Sequence, residues 1–121
     1  MALPRHHRLK TKKQFDRLYR QGRITPTPLF LIRSWREPKP EPIQIGIVIS
    51  KKIDRRATRR NRWRRQISEA LREIIKAQES NLSGFKVIII ARPRLRSASR
   101  PEIDYWLRQF FGKYAEKNQS D

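Results

Sequence analysis

The chain has 121 residues, with 30 Lys plus Arg against 11 Asp plus Glu, no Cys and a formal net charge of +19. That length fits one domain, and 36% hydrophobic residues suffice for a modest core, so the charge does not impose disorder. Zero Cys excludes a disulfide scaffold, a Cys-based zinc site and a Cys nucleophile, while no apolar run nears the ~18 residues of a membrane span or reads as a signal peptide.

The elements follow in chain order. Thr11 to Gln14 spells T-x-x-Q, a capping box, so a helix is predicted to start near Lys12 and to stop near Gly22. Phe15, Leu18 and Tyr19 fall on one face of it. Residues 29–36 predict a strand, with Leu29, Leu31, Arg33 and Trp35 alternating against Phe30, Ile32, Ser34 and Arg36. A Pro-rich loop, EPKPEP at 37–42, precedes a second strand in which Ile43, Ile45, Ile47 and Ile49 share one face. The short connection predicts an antiparallel hairpin between these two strands. A long helix is predicted over 59–79, capped by Thr58, with Trp63, Ile67, Ala70, Leu71 and Ile74 as its apolar stripe. Asn61, Arg65, Ser68 and Arg72 fall on the opposite side. Residues 85–91 form an apolar, β-branched run broken only by Lys86 and predict a buried central strand. A second capping box, Ser99 to Glu102, opens a last helix with Ile103, Trp106, Leu107, Phe110, Phe111 and Tyr114 on its core face.

The order α-β-β-α-β-α predicts an α+β sandwich with a small central sheet, one domain over residues 1–121. A basic tail at 1–10 and a C-terminal tail at 115–121 flank it. The long helix between the second and third strands suits parallel neighbours, for which the general rule gives a right-handed crossover.

A charge of +19 self-repels unless a polyanion neutralises it, which makes nucleic acid the expected partner and an anionic membrane a distant second. Residues 51–65 hold nine basic residues and one acid, Asp54. Seven of the nine are Arg, whose planar forks bind phosphates bidentately and stack on unpaired bases. The helix begins inside this run, where the exposed N–H groups disfavour cations. A broken local rule without visible compensation is expected at functional sites, and phosphates would supply the compensation. Asn61 adds an amide suited to a base edge or a 2′-OH. A second group of eight basic residues occupies 1–23, around the Phe15–Tyr19 pair, and a third comprises Arg92, Arg94, Arg96 and Arg100. A solvated basic face is the plain alternative for any such run, and anchoring to the sheet is the alternative for Phe15 and Tyr19.

These residues resemble the bacterial ribonuclease P protein subunit. SKKI at 50–53, RRNRWRRQISEAL at 59–71, RLKTKKQFDRLYRQGR at 8–23 and VIIIARP at 87–93 match that family's pattern in order. The resemblance implies an α-β-β-α-β-α fold with a left-handed βαβ crossover, against the general rule. It implies partnership with a catalytic RNA, removal of the 5′ leader of precursor tRNA, and Mg2+ held mainly by that RNA. It assigns RNA-subunit binding to Lys51, Lys52, Arg59, Arg60, Asn61, Arg62, Arg64 and Arg65, and leader binding to Phe15, Tyr19 and Arg33. Two departures stand out. Ser68 occupies a position where the family often has Arg, and Arg33 stands where it often has an aromatic, so a charge or cation–π contact would replace stacking there. Trp63 in an aliphatic position is a core exchange.

Other motifs weigh less. His6-His7 lacks carboxylate or Cys support and fits an exposed basic tail better than a metal site. Glu69 and Glu73 fit helix-surface ion pairing with Arg65 and Arg72. No triad order, Gly-rich phosphate loop or metal-ligand cluster is legible. No catalytic side chain, no protein-held metal, no membrane contact and no obligate protein partner is expected, and a cytoplasmic location is. A ribosomal protein would share the charge and size but not the aromatic pair beside the R-N-R helix start. A DNA-architectural protein would need spaced base-reading residues rather than dense Arg.

Overall fold

The computed structural model describes residues 3–119, with side chains through Lys113. The expected C-terminal tail and the side chain of Tyr114 fall outside the described residues, apart from the backbone of the last helix. The elements are α1 (Lys12–Gln21), β1 (Arg23–Pro26), β2 (Phe30–Arg36), β3 (Gln44–Val48), α2 (Ala57–Gln78), β4 (Phe85–Ala91) and α3 (Arg100–Gln119), with 3₁₀ turns at Arg5–His7 and Pro93–Ser97. The four strands form one sheet in the order β1-β2-β4-β3. β1 and β4 each pair antiparallel to β2, and β3 pairs parallel to β4.

β4 organises this sheet because it is apolar on both faces. Val87 and Ile89 join the larger core, which α2 and α3 cover with Ile67, Leu71, Ile103, Leu107 and Phe111. Ile88 and Ile90 face the other way, where Leu18 and Leu9 pack. A strand buried on both sides belongs at the centre of a sheet. β4 therefore takes the seat between β2 and β3, and the predicted β2–β3 hairpin does not form. The Pro-rich loop spans the gap instead and is fastened to the start of β4. Gly84 N–H donates to Glu41 O at 2.7 Å, and Glu37 N–H donates to Gly84 O at 2.8 Å. Lys86 Nζ reaches Glu41 at 2.9 Å and Gln44 at 2.7 Å from the same side. Its ammonium and hydrogen bond hold the Glu41 carboxyl below the usual range.

Three further differences have physical reasons. β1 is an exposed edge strand ending at Pro26, so it carries no alternation to read. α2 begins at Ala57 rather than Arg59, with Arg56 rather than Thr58 at its N-cap position and no side-chain cap. Residues 3–9 are not a loose tail: Leu3, His7 and Leu9 are buried. Leu9 N–H donates to Ile45 O at 3.2 Å, and His7 Nδ1 lies 2.8 Å from Ile43 O, which makes His7 a structural histidine rather than part of an exposed tail. The Ser99 capping box is half formed. Ser99 Oγ accepts from Glu102 N–H at 3.4 Å, while the Glu102 carboxylate turns to Arg94.

Two glycines predict opposite outcomes. Gly84 has φ +84°, and a Cβ there would lie 2.4 Å from Glu37 O. Gly84→Ala should cost about 1–3 kcal/mol through strain and loss of the loop latch. Gly112 lies in α3 with nothing within 4 Å of a Cβ, so Gly112→Ala should gain about 0.5–1 kcal/mol. Urea unfolding of both variants checks this; equal effects would contradict it.

Candidate nucleic-acid interface

α1 is set on the sheet by its N-terminal capping box and by Leu18. Thr11 Oγ1 accepts from Gln14 N–H at 3.2 Å, and Gln14 Oε1 accepts from Thr11 N–H at 3.3 Å. Leu18 is 2% exposed and packs with Leu9 and Ile88. One helical turn earlier, the Phe15 ring lies against the bare backbone of Gly46 in β3. A Cβ at Gly46 would come within 2.6 Å of that ring. A glycine inside a strand often marks such a close approach. Phe15 is half-buried, and its other side lines a cleft of about 530 Å³ between α1, the β3 edge and α2. It thus anchors the helix and faces open space at once.

Tyr19 and Arg33 do not share that cleft. They form a stack beside it, with the guanidinium 5.3 Å above the Tyr19 ring and Arg33 Nη1 donating to Tyr19 O at 2.8 Å. The cation–π contact expected of Arg33 is therefore made with Tyr19 itself. Tyr19 remains 42% exposed. A second stack, Arg17 over Trp35 at 5.0 Å, lies on the same side of the sheet and was not legible in the sequence.

The far wall of the cleft is α2, which contributes Asn61, Arg64, Arg65 and the buried Ser68. Arg64 Nη1 donates to Asn61 Oδ1 at 3.4 Å, which points both groups at one region. Ser68 is a wall residue, and Arg72 is not among the residues lining this cleft. Arg8 completes the rim, its Nε held by Leu3 O at 2.6 Å. Phe15 and the Asn61, Arg64 and Arg65 side of α2, expected to serve two separate surfaces, meet in one concavity.

The start of α2 is compensated internally. Asp54 is buried, and its carboxylate accepts from Arg56 N–H at 2.9 Å and lies 3.4 and 3.5 Å from the Arg56 and Arg59 guanidiniums. An anion at a helix N-terminus is favourable there. The backbone hydrogen bond from Arg56, aided by the two arginine charges, holds the Asp54 carboxyl below its ordinary value despite burial. Arg60 folds back, donating to Asp54 O and Arg55 O at 2.9 Å each. Arg59 lies 5.6 Å over the Trp63 ring. Arg59 and Arg60 thus shape the loop. Lys51, Lys52 and Arg62 are exposed and have no side-chain hydrogen bond or ion pair among the described residues. Glu69 and Glu73 pair across to α3, with Arg100 at 2.8 Å and Arg108 at 3.4 Å, and the charge of Arg65 along α2 also acts on the Glu69 carboxyl.

A cationic cleft with an aromatic wall on a four-stranded α+β domain has the make-up of a nucleic-acid-binding protein. A family model described as Ribonuclease P matches residues 3–115. The ribonuclease P protein component of Synechococcus elongatus is 39% identical over 98 residues, covering 78% of each chain. That of Xanthomonas oryzae pv. oryzae is 33% identical over 106 residues, covering 87% of this chain and 69% of the relative. The solved ribonuclease P protein of Staphylococcus aureus superposes with a TM-score of 0.69 at 26% identity, over 85% of this chain and 90% of that one. The Thermotoga maritima protein, at 21% identity and a TM-score of 0.67 over 85% and 93%, shares the fold. The chain belongs to the ribonuclease P protein family. It is an accessory protein subunit of that RNA-catalysed enzyme, and it associates with the ribonuclease P RNA. Among the described residues no helix is long and apolar enough to cross a membrane.

Because the Asp54 carboxyl is depressed on folding from its ordinary 3.8, its stabilisation is full above that pH and is lost as pH falls through the folded value. Asp54→Asn should therefore flatten the acid side of the stability profile; an unchanged acid limb would contradict the role. Arg60→Ala should destabilise by about 1–2 kcal/mol through two lost loop bonds, whereas Arg62→Ala should stay within about 0.5 kcal/mol. Thermal unfolding separates the two, and equal losses would show that Arg60 does not shape the loop.

Proposed function

We propose that the cleft between α1, the β3 edge and α2 holds the single-stranded 5′ leader of precursor tRNA, while the outer side of the β3–α2 loop and α2 meets the RNA subunit. One observation carries this: Phe15 and the Asn61–Arg64–Arg65 face line the same concavity. The ring offers a stacking surface worth about 1–3 kcal/mol per base, with little regard to which base it is. Arg64, Arg65 and Arg8 offer phosphate contacts at the rim, and Asn61 a hydrogen-bonding amide. Leaders differ in sequence, and this combination grips a strand without reading base edges. The Tyr19–Arg33 stack extends the platform along α1, with a guanidinium plane on which a base can lie.

Lys51, Lys52 and Arg62 are the cations we assign to RNA-subunit phosphates, with Arg65 at the border of both surfaces. Arg59 and Arg60 act through the loop they shape. Among the described residues no three His, Cys, Asp or Glu side chains converge into a metal-holding group. Magnesium enters this proposal as an ion held mainly by the RNA partner. The protein then contributes affinity and orientation for the substrate, and that substrate puts its action in the cytoplasm.

The test is a comparison of precursor and mature tRNA on the reconstituted holoenzyme. The protein should raise cleavage by a bacterial ribonuclease P RNA at low magnesium. Phe15→Ala should weaken precursor binding about tenfold, roughly 1.4 kcal/mol, and leave mature tRNA nearly unaffected. Equal losses for both tRNAs would remove the cleft from leader binding.

A further inference from the structure

The third basic group in the sequence contains four arginines, and the structure separates one from the others. Arg92 donates to Thr27 O at 3.0 Å. Arg94 pairs with Glu102 at 3.2 Å. Arg100 bridges Glu69 and Asp104 at 2.8 and 3.0 Å. Arg96 is exposed and makes no side-chain hydrogen bond or ion pair among the described residues. Its backbone is nevertheless anchored, because Leu95 beside it is fully buried in the main core and closes the 3₁₀ turn Pro93–Ser97. Leu95 N–H donates to Arg92 O at 2.9 Å, and Ala98 N–H donates to Leu95 O at 3.1 Å.

That turn sets Arg96 opposite the β3–α2 loop. Together they form a second concavity of about 1000 Å³, lined by Lys51, Lys52, Asp54, Arg55, Arg56 and Arg96 around Ile53. It holds five cations and one carboxylate. The carboxylate is already engaged by Arg56 and Arg59, so the bowl keeps a strong positive excess. Lys51, Lys52, Arg55 and Arg96 have no acidic partner among the described residues. Like charges converging without an anion are costly, and a polyanion relieves that repulsion.

We propose that Arg96 joins the β3–α2 loop in a single phosphate-binding bowl for the folded RNA subunit. This rests on the function proposed above and adds to it a contact from a segment more than thirty residues away in sequence. The bowl lacks an aromatic side chain and an exposed amide. It therefore suits the phosphates of a structured backbone rather than unstacked bases, in contrast to the Phe15 cleft.

The test is the salt dependence of RNA-subunit binding by the full chain. Arg96→Ala should weaken binding and lower the log–log salt slope by about one, as expected for one lost phosphate contact. Its loss of precursor over mature tRNA discrimination should be nil. Arg94→Ala, whose guanidinium already pairs with Glu102, should keep the wild-type slope. A wild-type slope and affinity for Arg96→Ala, with the wild-type chain binding normally, would overturn the bowl while leaving the proposed function standing. Failure of the wild-type chain to bind the RNA subunit would overturn both. An equal loss of slope on an unrelated duplex RNA of the same length would make the bowl a general polyanion contact and overturn its assignment to the RNA subunit.

Discussion

The two-sided burial of β4 is the constraint on which the rest of the molecule depends. A strand with Val87 and Ile89 on one face and Ile88 and Ile90 on the other has no solvent-tolerant side. It has to sit between strands and between layers. Its central position separates β2 from β3 and makes β3 an edge strand, reached from β2 over the Pro-rich loop and joined to β4 through α2. The edge is what the cleft needs. Gly46 there leaves room for Phe15, and the residues preceding α1 cover the remainder through the Leu9 to Ile45 bond. Because α2 leaves from the end of β3, its first turns stand beside that edge, and the densest charge in the sequence faces an aromatic from the other helix.

The +19 charge divides into cations with internal work and cations without. Arg60 ties down the loop, Arg92 and Arg94 hold the segment after β4, and Arg100 and Arg108 join α3 to α2. Such exposed or half-exposed ion pairs contribute little stability individually. Their consequence is geometric, since they fix the frame that carries the unpartnered cations. Of those without an acidic partner among the described residues, Lys51, Lys52, Arg55 and Arg96 line one bowl at the β3–α2 loop. A chain arranged this way is held together by its apolar core and is left with an unbalanced surface that a phosphate backbone neutralises.

Much of this was legible in the sequence where a local rule decides the outcome. The Thr11–Gln14 box, the α2 stripe through Trp63, Ile67 and Leu71, and the apolar run from Val87 to Ala91 in β4 are each visible in a few adjacent residues. The family motif at 59–71 was equally local. Illegible features depended on partners distant in sequence. Asp54 looked like a lone acid in a basic run, and only its burial against Arg56 and Arg59 shows why α2 tolerates cations at its start. His7 resembled part of a tail until Ile43 O supplied its partner. The Phe15–Tyr19 pair looked like one surface, but Arg33 draws Tyr19 into a separate stack. Arg96 could not be distinguished from its three neighbours by type or spacing. Gly46 was the signal within reach: a glycine in a β-branched strand marks a close approach, here that of Phe15.

In the proposed arrangement α1 faces the leader while the β3–α2 loop faces the RNA subunit. The chain has no Cys, so a single introduced thiol can carry an iron chelate that cleaves nearby RNA by hydroxyl radicals. With the probe on Lys12→Cys, at the start of α1, the holoenzyme bound to precursor tRNA should show cuts in the leader. On Lys52→Cys the cuts should fall in the RNA subunit, and on Lys76→Cys, near the far end of α2, they should be weak in both. Leader cuts from the Lys76 probe as strong as those from the Lys12 probe, or none from Lys12 while binding is intact, would contradict the account.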